Sequence, residues 1–292
     1  MSSTTDNQAY YVPHGTHWPI IGSVGLSLTV IGIANFLHGT WSATPIFVGL
    51  AIIIFMMYGW FGAVVTESLA GMYNKQVDMS FRWGMAWFIF SEVMFFAAFF
   101  GALFYARTYS IPWLDGASNN DATAQYLWPN FEAAWPLLVP PEADKFAVPN
   151  ATMSPWGLPF INTVILLTSG LTVTLAHWAL KRKDNVWLVY WLAATVILGF
   201  GFVGLQGYEY VHAYQDLNLR LDSGIYGTTF FMLTGFHGFH VTMGAIMLLV
   251  ITIRAAKGHF SPKNHFGFEA VAWYWHFVDV VWLGLFIFVY WL

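Results

Sequence analysis

The sequence predicts an all-α, polytopic membrane protein with seven transmembrane helices, and three observations support this prediction. Hydrophobic residues make up 58% of the chain and charged residues only 9%. A soluble domain carries about 25% charged residues, so this chain has too few to cover a surface that faces water. Its apolar residues recur in runs of about 20, the length that crosses a bilayer as a helix. Finally, Lys and Arg cluster on alternate connections between these runs.

Three apolar runs precede the longest polar connection, and they are Trp18–Leu37, Ile46–Val65 and Trp83–Tyr105. Only a few residues separate the first two runs, which predicts an antiparallel helical hairpin. Arg82 and Arg107 bound the third run. Each run is therefore delimited by polar or turn residues, as expected of a transmembrane helix.

Four further runs complete the set, and they are Trp156–Leu180, Val186–Gly207, Tyr226–Ile253 and Phe268–Leu292. The basic segment at 181–184 ends the first of these four. The run from 226 to 253 is longer than a bilayer requires, which predicts a tilted helix. Glycines in two spans predict close helix contacts, and they are Gly22, Gly25, Gly32, Gly199, Gly201 and Gly204.

These spans divide the chain into a tail at 1–17, a two-helix hairpin at 18–66 and a five-helix bundle at 67–292. A connection at 108–155 interrupts the bundle and is rich in Pro, Asn, Asp and Trp. Pro140-Pro141 argues against a long helix there. We expect this connection to form an ordered cap outside the membrane, with little regular structure.

Lys and Arg predict the orientation. The face that holds the N-terminus carries eight of them, which are Lys75, Arg82, Lys181, Arg182, Lys183, Arg254, Lys257 and Lys263. The other face carries three, which are Arg107, Lys145 and Arg220. The positive-inside rule then places the N-terminus in the cytoplasm and the C-terminus outside it.

Composition also excludes several kinds of chemistry. The chain has no cysteine, which rules out disulfides, thiolate metal sites, iron–sulfur clusters and cysteine nucleophiles. The net charge of −4 does not favour a nucleic-acid partner.

Two acids lie within predicted spans. Placing an ionisable side chain there costs free energy, so we expect each acid to have a partner or a function. Glu92 is about 15 Å along the helix from Arg82, near the bilayer midplane. It is interpreted either as a proton-handling or lipid-contacting acid or as a protonated acid bonded to a neighbouring helix. Asp279 shares a helix face with His276. This pair predicts either a proton relay or, as we favour, an interhelical lock.

His237 and His240 also share a helix face, but no further ligand is evident near them in the sequence. A bis-histidine haem would have to use His177 and His212, which lie near span ends on opposite faces of the membrane. Interhelical hydrogen bonds are therefore the favoured interpretation, and we expect Gln206 and Glu209 to be interhelical polar residues as well. We expect no metal and no catalytic residue in this chain.

A separate group lies at headgroup depth, at the inner ends of the second and sixth spans. It consists of Glu67, Arg254, Lys257 and His259. Basic side chains at this depth are suited to lipid phosphates. An ordinary solvated rim is the alternative that the residues alone leave open.

Several long strings resemble the haem–copper cytochrome c oxidase subunit III family. Residues 82–96 (RWGMAWFIFSEVMFF) resemble its third helix, and 206–210 (QGYEY), which includes Gln206 and Glu209, resembles the end of its fifth. The sixth and seventh helices are matched by 222–231 (DSGIYGTTFF), 234–241 (TGFHGFHV), 264–270 (NHFGFEA) and 273–283 (WYWHFVDVVWL). The likeness runs from about residue 58 to the C-terminus.

The resemblance implies seven helices in two groups, one and two against three to seven, with structural phospholipids in a V-shaped cleft. It implies that haem and copper belong to the partner subunits I and II, which take electrons from cytochrome c, reduce dioxygen and pump protons. The chain itself would support proton uptake and protect the complex during turnover.

Position by position, the resemblance makes Glu92 the buried acid. It assigns lipid contacts to Tyr58, Trp60, Glu67, Arg254 and Lys257. The chain departs from the family pattern at Thr66, where many members have a basic residue, and at Gly101, where an aromatic is common. The first departure places one headgroup contact in doubt.

The long cap and the lack of a transit-peptide pattern favour a bacterial inner-membrane protein. One alternative function is the equivalent subunit of a quinol oxidase or nitric-oxide-reductase complex, although the quinol-type versions generally lack the N-terminal hairpin. A proton-coupled transporter that uses Glu92 and Asp279 is a second alternative, and a b-type cytochrome is a third. The transporter would predict repeats and interrupted helices, which the sequence does not display.

Overall fold

The computed structural model describes residue 11 and residues 15–292, and every regular element in this part of the chain is a helix. Most of the predicted tail at 1–17 lies outside the described residues. Within these described residues, seven helices are long and apolar enough to cross a membrane, which confirms the predicted fold class.

The long helices follow the predicted order. They are α1 (Trp18–Leu37), α2 (Thr44–Leu69), α3 (Lys75–Tyr105), α5 (Leu158–Lys181), α6 (Asn185–Gln215), α7 (Gly224–Ala256) and α8 (Phe266–Leu285). A π-helical turn (Ala106–Ser110) and the short α4 (Ile111–Leu114) prolong α3, and a π-helical segment (Phe286–Trp291) prolongs α8.

The third helix begins earlier than its apolar run predicts, at Lys75 instead of Trp83. Asn74 caps it, because its side-chain oxygen accepts a hydrogen bond from the backbone N–H of Val77 at 3.0 Å. One turn later, Asp78 pairs with Arg82 at 2.8 Å. Polar caps and i,i+4 pairs thus stabilise helical turns outside the apolar run, where a search for hydrophobic residues does not detect them.

The described chain divides into two compact units, Met1–Trp83 and Gly84–Leu292. The first contains α1, α2 and the start of α3, and the second contains the remaining helices. The V-shaped lipid cleft concerns the arrangement of these units and stays a prediction.

Small residues bring α1 and α2 of the first unit together. A side chain at Gly25 would meet Ile53 at 2.9 Å, and a side chain at Gly49 would collide with Thr29 and with the carbonyl of Gly25. Close backbone approach of this kind is how transmembrane helices associate without a hydrophobic driving force. Gly25 therefore permits a close contact of the kind that the sequence predicts.

The second unit is built around two tryptophans of α8, Trp275 and Trp282, which are both fully buried. The indole N–H of Trp275 donates to the Ser169 hydroxyl at 2.9 Å, and that of Trp282 donates to the Thr163 hydroxyl at 2.9 Å. Both acceptors lie on α5. These bonds satisfy the polar tips of the rings and set the rotation of α8 against α5.

The connection between α4 and α5 is mostly irregular and has one π-helical turn (Thr123–Leu127) and one 3-10 turn (Ala143–Lys145). It rests on the α6–α7 connection. The backbone N–H of Asn150 donates to the Leu217 carbonyl at 2.8 Å, and the Asn218 side chain donates to the Val148 carbonyl at 2.9 Å. These bonds account for an ordered cap with little regular structure.

Replacing Gly244 with Ala should destabilise the second unit. An added methyl group on α7 would lie 2.8 Å from the Trp275 ring, which is rigid and enclosed. We expect a loss of about 1–3 kcal/mol in the free energy of unfolding, measured by thermal unfolding in detergent. The control is Gly238→Ala on the same helix, where an added methyl group meets nothing within 4 Å. Equal stability of the two variants would contradict this account of the core.

Candidate functional site

The structure brings the predicted buried acid, Glu92 of α3, against His240 of α7. Their side chains meet at 2.9 Å between Oε2 and Nε2. The His240 side chain is 9% exposed and that of Glu92 is 21% exposed, so the pair lies inside the second unit with the acid toward its exterior. Aromatic rings surround the imidazole, with Phe96 at 5.0 Å and Tyr274 stacked at 6.3 Å.

The hydrogen bonds of His240 define how many protons the pair holds. Its Nδ1 lies 2.6 Å from the Phe236 carbonyl, so the Nδ1–H donates there. The contact between Nε2 and the Glu92 carboxyl then needs a proton of its own, located on one atom or the other. The pair is thus either a neutral acid donating to imidazole or a carboxylate paired with imidazolium. In both forms one proton lies between the two side chains.

His237 does not join this pair. Its Nε2 contacts the Val278 carbonyl of α8 at 3.2 Å, and its ring lies 5.1 Å from that of Trp282. His237 and His240 therefore make separate interhelical hydrogen bonds and do not converge on a common point.

His276 and Asp279 of α8 form a second polar contact, with 3.7 Å between Nδ1 and Oδ2. The other ring nitrogen of His276 lies 3.4 Å from the Thr174 hydroxyl of α5. Gly170 of α5 makes room for Asp279, because a side chain there would collide with the carboxylate. Of the two polar contacts of His276, only the one with Thr174 joins α8 to α5, and the His276 side chain remains 46% exposed.

A third cluster joins α6 to the end of the last span. Glu209 is fully buried and accepts hydrogen bonds from the Gln206 amide at 3.4 Å and from the Tyr290 hydroxyl at 2.6 Å. Sequence reasoning predicted Gln206 and Glu209 as interhelical polar residues but did not identify Tyr290. A tyrosine near a span end looks like an interfacial anchor, and only the packing reveals its partner.

In the first unit, Tyr58 and Trp60 lie on α2 with 83% and 49% of their surface exposed. Further along α2, Glu67 accepts a hydrogen bond from Tyr73 at 2.7 Å. Burial, and then the bond to this carboxylate, raise the pKa of Tyr73, so the phenol stays protonated as the donor. Sequence reasoning did not identify Tyr73.

In the second unit, Arg254, Lys257 and His259 lie at the end of α7. The Arg254 guanidinium stacks 4.7 Å from the centre of the Phe260 ring. Among the described residues, the buried Nε of Arg254 and the buried Nδ1 of His259 have no hydrogen-bond partner. Burying a donor without an acceptor costs free energy, so the hydrogen bonds of this helix end are incomplete among the described residues.

Comparison with known proteins agrees with the resemblance. The family model described as cytochrome c oxidase subunit III matches residues 8–115 and 131–292. The "Cytochrome c oxidase subunit 3" of Marchantia polymorpha is 41% identical over 99% of this chain and 98% of its own length. The protein of the same name from Drosophila melanogaster is 38% identical over 99% of this chain and 98% of its own length. The "Probable cytochrome c oxidase subunit 3" of Rickettsia conorii is 38% identical over 99% of this chain and 95% of its own length.

Replacing Tyr290 with Phe should destabilise the second unit, because Glu209 loses its shorter hydrogen bond inside a buried cluster. Its Oε2 atom already has no partner among the described residues. We expect a cost of about 1–3 kcal/mol, measured as a lower unfolding temperature in detergent. Tyr208→Phe, at an exposed position of α6, is the control. If both variants unfold alike, the bond to Glu209 contributes no stability.

Proposed function

Because the chain belongs to the cytochrome c oxidase subunit III family, we propose that it is the non-redox subunit III of a proton-pumping haem–copper oxidase. The single observation that carries this proposal is 38–41% identity to subunits of that name over nearly the whole chain. The chain is thus a subunit of an oxidoreductase complex and a multi-pass membrane protein. We assign it to the aerobic respiratory chain of a bacterial inner membrane, with the N-terminus in the cytoplasm.

We place the haem and copper centres in partner subunits I and II, and cytochrome c on subunit II. The geometry of this chain supports the assignment, because His237 and His240 bond to protein groups on other helices. In the proposed complex, subunit I is the main neighbour.

Purification through a tag on this chain tests the proposal. We expect haem a absorbance in a reduced-minus-oxidised spectrum, with two co-purifying partners of which one carries a soluble copper-binding domain. Partners of a quinol oxidase, which lack that domain, would redirect the assignment. A haem-free chain that purifies alone in mild detergent would overturn it.

The Glu92–His240 pair supports a role in proton uptake and turnover stability. It holds one proton, it is enclosed by aromatic rings on one side, and its acid reaches toward the exterior of the second unit. Such a pair is suited to pass a proton between its two side chains, or to hold it, without an intervening water molecule.

Replacing Glu92 with Gln keeps a side chain of the same shape but removes the exchangeable proton of the acid. In the purified complex, we expect little change in the initial rate of oxygen consumption. The number of turnovers before inactivation should fall several-fold, and stopped-flow proton uptake should slow. Glu132→Gln, in the exposed part of the cap, is the control. If Glu92→Gln completes as many turnovers before inactivation as the wild type, the acid has only a packing role.

We further propose that phospholipid headgroups bind at two groups of residues, Tyr58, Trp60 and Glu67 in the first unit and Arg254, Lys257 and His259 in the second. Support comes from the large exposed rings of Tyr58 and Trp60 and from the unpartnered buried nitrogens of Arg254 and His259. A lipid phosphate would accept a charge-assisted hydrogen bond from the guanidinium.

Replacing Arg254 with Gln should release an anionic lipid from the purified complex. A hydrogen bond to a charged group contributes about 1.5–3 kcal/mol, so lipid affinity should fall about tenfold or more. Native mass spectrometry or lipid extraction measures the copies that remain. Lys263→Gln, at an exposed position of the same predicted face, is the control. If both variants retain the same amount of lipid, Arg254 does not bind it.

A further inference from the structure

Three ligand-type atoms converge where the end of α5 meets the start of α8. His177 Nε2 lies 3.5 Å from His265 Nε2 and 3.6 Å from Glu269 Oε1, and His265 Nε2 lies 3.2 Å from the same oxygen. The centre of such a triangle is about 2.0 Å from each corner, the length of a Zn–N or Zn–O bond. These side chains are thus already spaced as ligands of one ion.

The hydrogen bond on the far side of His265 gives its ring the required tautomer. Nδ1 lies 3.0 Å from the Ser261 carbonyl, so the Nδ1–H donates to it. In the neutral imidazole the lone pair is then on Nε2, which faces the centre of the triangle. Metal-binding histidines usually have such a partner for the second nitrogen, and it fixes the orientation of the ring.

The local chain holds two of the three groups rigidly. Ser261 and Asn264 exchange backbone hydrogen bonds of 3.2 and 3.1 Å, which closes a tight turn directly before His265. Glu269 follows His265 by one helical turn, so both side chains lie on the same face of α8. The third group, His177, comes from the last turns of α5.

The charges of the trio His177, His265 and Glu269 favour a bound cation. The Nε2 lone pair of His265 faces a carboxylate oxygen at 3.2 Å, and two acceptors repel unless a positive charge lies between them. The side chains of His177, His265 and Glu269 are 24%, 9% and 13% exposed, so bulk water does not screen this repulsion fully. Either a proton between the imidazole and the acid or a metal ion would relieve it.

We propose that His177, His265 and Glu269 bind a divalent ion of the zinc class, which clamps the end of α5 to the start of α8. Two imidazoles and one carboxylate are the ligand set that zinc accepts, with a further position left for water. This site departs from the sequence-based prediction that the chain binds no metal. It does not depend on the proposed respiratory function.

The test uses the purified complex that contains the full chain, with zinc chloride as the probe. Bound zinc is counted by mass spectrometry after gel filtration, and its ligands are read by X-ray absorption. We expect the wild type to retain one more zinc per chain than Glu269→Gln, and the affinity in the variant to fall about tenfold or more. The absorption spectrum of the wild type should show imidazole ligands at about 2.0 Å.

Two further variants make the test decisive. His177→Gln should lose the same zinc and stands in for Glu269→Gln if that variant fails to assemble. His212→Gln is the control, because His212 pairs with the single carboxylate of Asp216 and should leave retention unchanged. Equal zinc in the wild type and in both site variants, or a spectrum without imidazole ligands, would overturn the proposal.

Discussion

Three acids of the second unit lie partly or fully inside it, and each contacts another side chain of the protein. Glu209 is fully buried and Asp279 is 7% exposed, while Glu92 depends on His240 of another helix. Burying a carboxyl group without a partner is costly, so these contacts limit how the helices pack. The positions of α3, α6, α7 and α8 therefore follow as much from polar pairing as from apolar packing.

Aromatic and small residues provide the apolar contacts between the helices of the second unit. Trp275 lies where Gly199 of α6 and Gly244 of α7 leave room for its ring, and its indole N–H bonds to α5. This places one face of α8 against α5, which in turn brings Asp279 to Gly170. Packing of one large side chain thus positions a carboxylate of the same helix. In the second unit, the residues that pack the helices therefore also position the side chains of the candidate site.

The functional groups at the helix ends differ in kind from those at bilayer depth. Arg254 and His259 leave buried nitrogens without partners among the described residues. The trio at the start of α8 has its donor atoms turned inward toward one point, which suits an ion. By contrast, the side chains of Glu92 and His240 hydrogen-bond to each other.

The amino-acid sequence by itself determined the class of the protein, the seven spans and the family, because apolar runs and long motifs are local properties of the chain. It also identified Glu92, Asp279 and Glu209 as side chains that need partners. The partners of Glu92 and Glu209 were decided by the tertiary structure, since His240 and Tyr290 are distant in the sequence, and so was the approach of Asp279 to Gly170. The trio of His177, His265 and Glu269 lies across two helices, and no local pattern could reveal that their donor atoms meet at one point.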